Sequence, residues 1–252
     1  MSDIRVEGVS GGRTDETARP SRLGLHVLLS IQSGIVVLIS INRLSPATTG
    51  FVAENEFLRW VDLNNLILAL ATLVTANLLI RHLEYDSPRR DGSAHRVLGL
   101  AFFVGAVLYA ISYGNHEVTN YLNDRFCLGA SGVPSAPCEI VAYHDNELSH
   151  YLFFVGFTIV NVAIMLTQVV FPDDRPPTLT DNALVALNAL FIAAGIVANL
   201  GFEEIGLDLY VVAAVTILAG YLLVRQPRQL ILRYYAIAYV VGFAGAGVAQ
   251  LA

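Results

Sequence analysis

Lysine is absent from this chain of 252 residues, and all fifteen of its basic residues are arginines. A Schiff base between a lysine and an aldehyde cofactor is therefore excluded. Charge of either sign is scarce, at 14 % of residues, whereas soluble domains carry about 25 %. Hydrophobic residues make up 55 %, and the mean hydropathy is +0.58. This composition predicts an integral membrane protein.

Long apolar runs divide most of the chain. A helix that crosses a bilayer needs about 20 predominantly apolar residues. Seven runs approach or reach this length, at 23–41, 63–80, 97–112, 148–171, 183–201, 207–224 and 230–251. We therefore expect an all-α protein with seven transmembrane helices in residues 23–252. The polar residues 1–22 predict a mobile cytoplasmic tail, because no short apolar run with a cleavage site precedes the first span.

The arginines predict the orientation of these spans. Twelve lie in the tail and in the loops on its side of the membrane, and only Arg43, Arg59 and Arg125 lie on the other side. Because arginine is enriched in cytoplasmic loops, we expect a multi-pass protein of the cell membrane with its N-terminus in the cytoplasm and its C-terminus outside.

Acidic residues do not follow the same bias, since eleven of the twenty-one fall on the expected outer side. An acidic outer mouth attracts cations and repels free anions. Exclusion of arginine from translocated loops would produce the same imbalance without any function. The net charge of −6 disfavours nucleic acid as a partner.

The only two cysteines, Cys127 and Cys138, both fall in the long loop expected near 118–146 on the outer side. Oxidising conditions outside a cell favour disulfides, so we predict a disulfide that closes this loop. Two free thiols are the alternative. A cysteine-ligated metal is disfavoured, because the spacing contains no CxxC pair.

Ionisable and polar residues gather at the outer ends of several spans, all at one expected membrane depth. The candidates for chemistry in this layer are His116, Glu117, Asp145, Glu147, His150 and Glu203. Glu147 and His150 are three residues apart, so an α-helix would place them on one face. A Glu-x-x-His pair of this kind supplies a carboxylate and an imidazole to one metal in helical bundles.

We therefore predict a divalent metal at this layer, with His116, His150, Glu147 and Glu203 as ligands and with Asp145 and Glu117 as catalytic groups. Imidazole and carboxylate ligands suit zinc or non-haem iron. Zinc is favoured over iron, because the second Glu-x-x-His pair of two-iron sites is missing. The alternative is a hydrated polar rim of ordinary headgroup-level residues.

Two known groups invite comparison through their seven spans. The inverted retinal proteins called heliorhodopsins require a lysine in the last span, which this chain lacks. The hydrolases related to alkaline ceramidases and adiponectin receptors hold zinc with three histidines, two of them from a His-x-x-x-His in the last span. No histidine occurs in the last span here, so the chain resembles them only in general type, and no family is assigned.

The function expected from these patterns is metal-assisted hydrolysis of a membrane lipid or another amphiphile at the outer face. The rival from another class is a non-enzymatic protein, either a conduit for small solutes or metal ions or a sensor. A purely structural subunit is the third alternative. Glu54, Glu56 and Asp62 could join the site or lie on a surface helix.

Overall fold

The computed structural model describes residues 21–85, 92–127, 135–202 and 207–251, and no strand occurs within these ranges. Their helices are α1 (Arg22–Leu44), α2 (Trp60–Glu84), α3 (Ser93–Phe126), α4 (Ala136–Tyr143), α5 (Ser149–Val170), α6 (Leu179–Phe202), α7 (Leu207–Arg225) and α8 (Leu230–Leu251). A π-helical turn, His144–Leu148, joins α4 to α5. We call the end of the bundle where α1 and α3 end and α2 and α5 begin the site end, and the opposite end the far end.

Six helical stretches are long and apolar enough to cross a membrane. They are Arg22–Leu44, Trp60–Glu84, Ser93–Cys127, Ala136–Val170, Leu179–Ala198 and Leu230–Gln250. The apolar stretch in α7, Leu209–Arg225, is shorter. Large apolar side chains such as Leu70, Phe103 and Ile217 point outward and are 63 %, 63 % and 74 % exposed. Since soluble proteins rarely expose large apolar surfaces, the expected all-helical, multi-pass membrane protein is confirmed in this form.

Small residues allow the helices to approach one another closely. A Cβ atom built on Gly156 of α5 would lie 2.5 Å from the backbone nitrogen of Tyr109 on α3. On α8, the same construction at Gly242 and Gly245 meets side chains of α6 at 2.8 and 2.7 Å. Membrane helices pack through such small residues. The contact of α3 with α5 places the segment around His116 beside the segment around His150.

The far end is held together by a polar network between α1 and the segment that joins α5 to α6. Arg22 donates to Asp173 at 3.3 Å and to Asp181 at 2.6 Å. His26 Nε2 lies 2.8 Å from Asp181 Oδ1, and both residues are buried. Arg175 donates to Asp173 as well. These contacts fix the start of the first helix against the middle of the chain.

Two features near the site end bear on the sequence predictions. The helix α3 extends to Phe126, well past the apolar run at 97–112. Cys127 follows it directly and forms a disulfide with Cys138 of α4, with Cα atoms 5.5 Å apart. The predicted disulfide is therefore confirmed. The expected tail lies outside the described residues, apart from Ser21 and Arg22.

Candidate functional site

A cavity of about 400 Å³ lies inside the bundle, between α1, α2, α3, α5, α6, α7 and α8. Its site end is lined by the polar side chains Arg43, His116, Glu117 and His150. Below them, the walls are mostly apolar and aromatic. The cavity therefore has a charged end and an apolar body.

His116 occupies the centre of the polar end. Its Nδ1 lies 3.5 Å from Glu117 Oε1, and its Nε2 lies 3.7 Å from Asp145 Oδ1. The His116 and His150 rings are stacked, with centroids 5.6 Å apart and planes inclined by 16°. We call His116, Glu117, Asp145 and His150 the His116 cluster. It combines two imidazoles with two buried carboxylates.

Glu117 is held in place by an amide chain that comes from α1 and α2. Asn65 donates to both of its carboxylate oxygens at 3.1 Å. Asn42 donates in turn to the side-chain oxygen of Asn65 at 2.8 Å. Arg43 lies 3.4 Å from Glu117 Oε1 and is 48 % exposed. Glu117 therefore has a nearby positive charge as well as hydrogen-bond donors.

Asp145 reaches the cluster because of the π-helical turn. The backbone N–H of Ser149 donates to the carbonyl of His144, five residues earlier. The same carbonyl accepts hydrogen bonds from Asn115 Nδ2 at 3.0 Å and from Ser149 Oγ at 2.6 Å. Such π-bulges occur frequently at functional sites. Here the turn buries Asp145 and leaves Glu147 exposed.

The two oxygens of Asp145 have different surroundings. Oδ2 accepts long hydrogen bonds from Asn120 and Asn123, at 3.4 and 3.5 Å. Oδ1 is buried without a hydrogen-bond partner in the described structure, and so is Nδ1 of His116. Buried polar atoms normally have partners. Each of these two atoms has only a longer contact within the cluster, Nδ1 with Glu117 at 3.5 Å and Oδ1 with His116 Nε2 at 3.7 Å.

The predicted metal ligands are only partly brought together. His116 and His150 are neighbours, but Glu147 is exposed and does not line the cavity. Glu203 lies outside the described residues. No three histidine, cysteine or acidic side chains in the described ranges form a group that could hold a metal ion. The rings of His116 and His150 are also nearly parallel. Their nitrogen lone pairs therefore lie in separate planes and do not converge on one metal ion. The described donors therefore do not fit a shared metal as they stand.

Several other acids of the site end are engaged in structural contacts. Arg59 pairs with Asp62 at 2.8 Å and with Asp124 at 2.9 Å, where Asp62 stabilises the start of α2. Arg125 pairs with Glu56 at 3.1 Å in an exposed loop. Glu54 is exposed in the same loop. None of Glu54, Glu56 and Asp62 lines the cavity.

The body and far end of the cavity complete the site. Aromatic side chains from α3 and α5 form one wall, namely Tyr109, Tyr113, Phe153, Phe154 and Phe157. The far end is lined by Asn161 of α5 and by Tyr234 and Tyr235 of α8. From sequence alone, Tyr234, Tyr235 and Tyr239 are expected in an interfacial aromatic belt followed by packing; in the structure Tyr234 and Tyr235 line the cavity.

Sequence reasoning also overlooked the residues that support the cluster. The sequence pointed to Arg43 only as a marker of membrane orientation, and it indicated no individual role for Asn65 or Asn115. In each case the sequence shows a polar residue in an apolar helix. It does not show which residue of another helix this side chain contacts. No protein family, curated protein or solved structure matches this chain. The function is therefore inferred from the chemistry of the site itself.

Proposed function

We propose that the protein is a cell-membrane enzyme that binds a lipid or another amphiphile and hydrolyses it at the His116 cluster. The observation that carries this proposal is the cavity, which has a charged end and an apolar body. Binding pockets typically combine predominantly apolar walls with a few polar groups that orient the ligand. An amphiphile would place its polar head at the cluster and its chain among the aromatic side chains.

The chemistry proposed at the head group uses the side chains themselves. His116 would accept a proton at Nδ1 from a water molecule as the water oxygen bonds to the electrophilic carbon or phosphorus of the substrate. The imidazolium would then return the proton to the leaving group. Asp145, with Oδ1 at 3.7 Å from His116 Nε2, would orient the ring. Catalytic hydrogen bonds are often long in unliganded structures and tighten with the substrate.

Arg43 suits the remaining task of stabilising negative charge. Its guanidinium lies at the site end of the cavity, 3.4 Å from Glu117. Positive groups placed where negative charge develops stabilise the transition state. Glu117 would keep Arg43 in position, since the two lie 3.4 Å apart.

The proposal includes seven spans, with the His116 cluster at the outer face and the N-terminus in the cytoplasm. The arginine distribution supports this orientation, and the substrate would enter from the outer leaflet. A conduit for ions is disfavoured, because the described charged groups lining the cavity all lie at its site end. Zinc at the outer layer stays a prediction, since Glu203 is outside the described residues.

The test is hydrolysis of p-nitrophenyl dodecanoate by the purified protein in lipid nanodiscs. We expect His116→Ala to lower the rate by about 10²- to 10⁴-fold, the usual contribution of a general base, and Asp145→Asn to lower it as well. Glu147→Gln is the matched control, because this acid lies in the same segment but is exposed. Equal rates for wild type and His116→Ala, or no turnover of ester, amide and phosphodiester analogues, would refute hydrolysis.

A further inference from the structure

The far end of the cavity holds a second group of polar side chains deep in the bundle. Asn161, Tyr234 and Tyr235 line it and are all buried. Tyr235 donates its hydroxyl hydrogen to Asn161 Oδ1 at 3.0 Å, and Asn161 Nδ2 donates to the Tyr239 hydroxyl at 2.7 Å. The network therefore links α5 with α8 at the bottom of an apolar cavity.

At least two donors of this group have no acceptor within the described ranges. An asparagine side chain carries two N–H groups, and Asn161 uses one of them, towards Tyr239. Tyr234 is only 3 % exposed, and its hydroxyl makes no hydrogen bond to any residue in the described ranges. Buried polar groups without partners are unfavourable, above all inside a membrane. The Tyr234 hydroxyl and the second N–H of Asn161 are thus available to an acceptor in the cavity.

The distance between the two polar ends sets the length of a ligand that would reach both. His150 and Asn161 lie on the same helix, eleven residues apart, which corresponds to about 16 Å at the rise of an α-helix. The wall between them is aromatic, with Phe153 centred 5.4 Å from Tyr109 and 6.0 Å from Tyr113. An extended hydrocarbon body of this length would pack along these rings.

We infer that the cavity recognises an elongated amphiphile with a second oxygen at the far end of its apolar body. A hydroxyl, ether or carbonyl oxygen there would accept hydrogen bonds from Tyr234 and Asn161. This inference rests on the proposed function, because it assumes that the first polar group lies at the His116 cluster. It narrows the substrate class from amphiphiles in general to those with an oxygen at both ends.

The test compares two neutral ligands of matched length that cannot be hydrolysed, 1-tetradecanol and 1,14-tetradecanediol. Binding of tritiated 1-tetradecanol to the detergent-purified protein is measured first, and displacement by each unlabelled ligand follows. We expect the diol to displace the label about tenfold better, the ratio that one good buried hydrogen bond provides. Tyr234→Phe should bring this ratio close to one.

Tyr210→Phe is the control, because Tyr210 of α7 is 72 % exposed; it should keep the preference for the diol. Equal displacement by both ligands in wild type, or a preference retained in Tyr234→Phe, would overturn the inference and leave the amphiphile site intact. Absence of saturable 1-tetradecanol binding would overturn the inference together with amphiphile binding itself. The two failures are therefore distinguishable.

Discussion

The two buried carboxylates of the His116 cluster differ in what compensates their charge. Glu117 lies beside Arg43 and receives two hydrogen bonds from Asn65. Asp145 has only long contacts, with two asparagines and with His116 Nε2 at 3.7 Å, and its Oδ1 accepts no hydrogen bond within the described residues. Burying a carboxylate is costly unless it is paired and hydrogen-bonded. Asp145 is therefore the acid left free to act on His116, while Glu117 maintains the arrangement.

At the residue scale, the metal content of the purified protein distinguishes catalysis by the predicted zinc from catalysis by the His116 side chain. If the His116 side chain is the base, as proposed, elemental analysis should find no stoichiometric zinc or iron in the purified wild type, even after zinc is added back. Chelator treatment should leave 1-tetradecanol binding unchanged, because apolar burial provides the affinity.

Zinc near one per chain would contradict this expectation. If His116→Ala and His150→Ala lost that zinc while Glu147→Gln kept it, a further ligand would lie outside the described residues, with Glu203 as the first candidate. The reaction would then be metal-dependent, as the residue types suggested.

At the scale of the helices, the approach of α3 to α5 controls the geometry of the cluster. Gly156→Ala should destabilise the protein by about 1–3 kcal/mol, the usual cost of overpacking, because the new Cβ would meet the backbone of Tyr109 at 2.5 Å. Gly114→Ala on α3 is the control, since nothing lies within 4 Å of the added atom. Thermal unfolding in detergent measures both, and an unchanged midpoint for Gly156→Ala would contradict the close approach.

The pH dependence of stability is predicted at the segment that joins α5 to α6. Burial alone would raise the pKa of Asp173, but hydrogen bonds from the Arg175 side chain and backbone, and the charges of Arg175 and Arg22, hold it below its ordinary value. The ionised form therefore favours folding above the unfolded pKa of about 3.9. This contribution is lost as the pH falls through the folded pKa.

Asp173→Asn should consequently cost stability at neutral pH, by ~0.5 kcal/mol because the pair is partly exposed and screened. The difference from wild type should shrink below about pH 4. Asp174→Asn is the control, since Asp174 is exposed beside it. Unfolding midpoints measured between neutral and acid pH check this, and a difference that grows on acidification would contradict the assignment.

The helical elements were predictable from the sequence for a simple reason. Every apolar run long enough for a bilayer lies in a helix, because apolar length alone selects such segments. The polar part of α3 after Tyr113 was not predictable in this way, since hydropathy does not detect a helix that continues past the apolar run.

The π-helical turn was not predictable either, because an argument from 3.6 residues per turn places Glu147 rather than Asp145 beside His150. The amide partners of Glu117 come from other helices, so only the packed structure reveals them.

At the scale of the whole molecule, the substrate route depends on which end of the bundle faces the outside. The site end carries Arg43, Arg59 and Arg125, each paired with an acid, while the far end holds the Arg22 network with Asp173 and Asp181. Paired arginines remain compatible with translocated loops, because the positive-inside rule is a bias and not an exclusion. We therefore expect the cavity to receive its ligand from the outer leaflet.

Single introduced cysteines test this orientation and the seven-span count together, because the native cysteines are joined in a disulfide. In intact cells, a membrane-impermeant maleimide should label Thr49→Cys at the site end. Asp174→Cys and Arg228→Cys, both exposed at the far end, should react only after the membrane is permeabilised. Labelling of Arg228→Cys but not Asp174→Cys in intact cells would mean that α7 does not cross. The reverse pattern for Thr49→Cys and Asp174→Cys would place the His116 cluster at the cytoplasmic face and exclude entry from the outer leaflet.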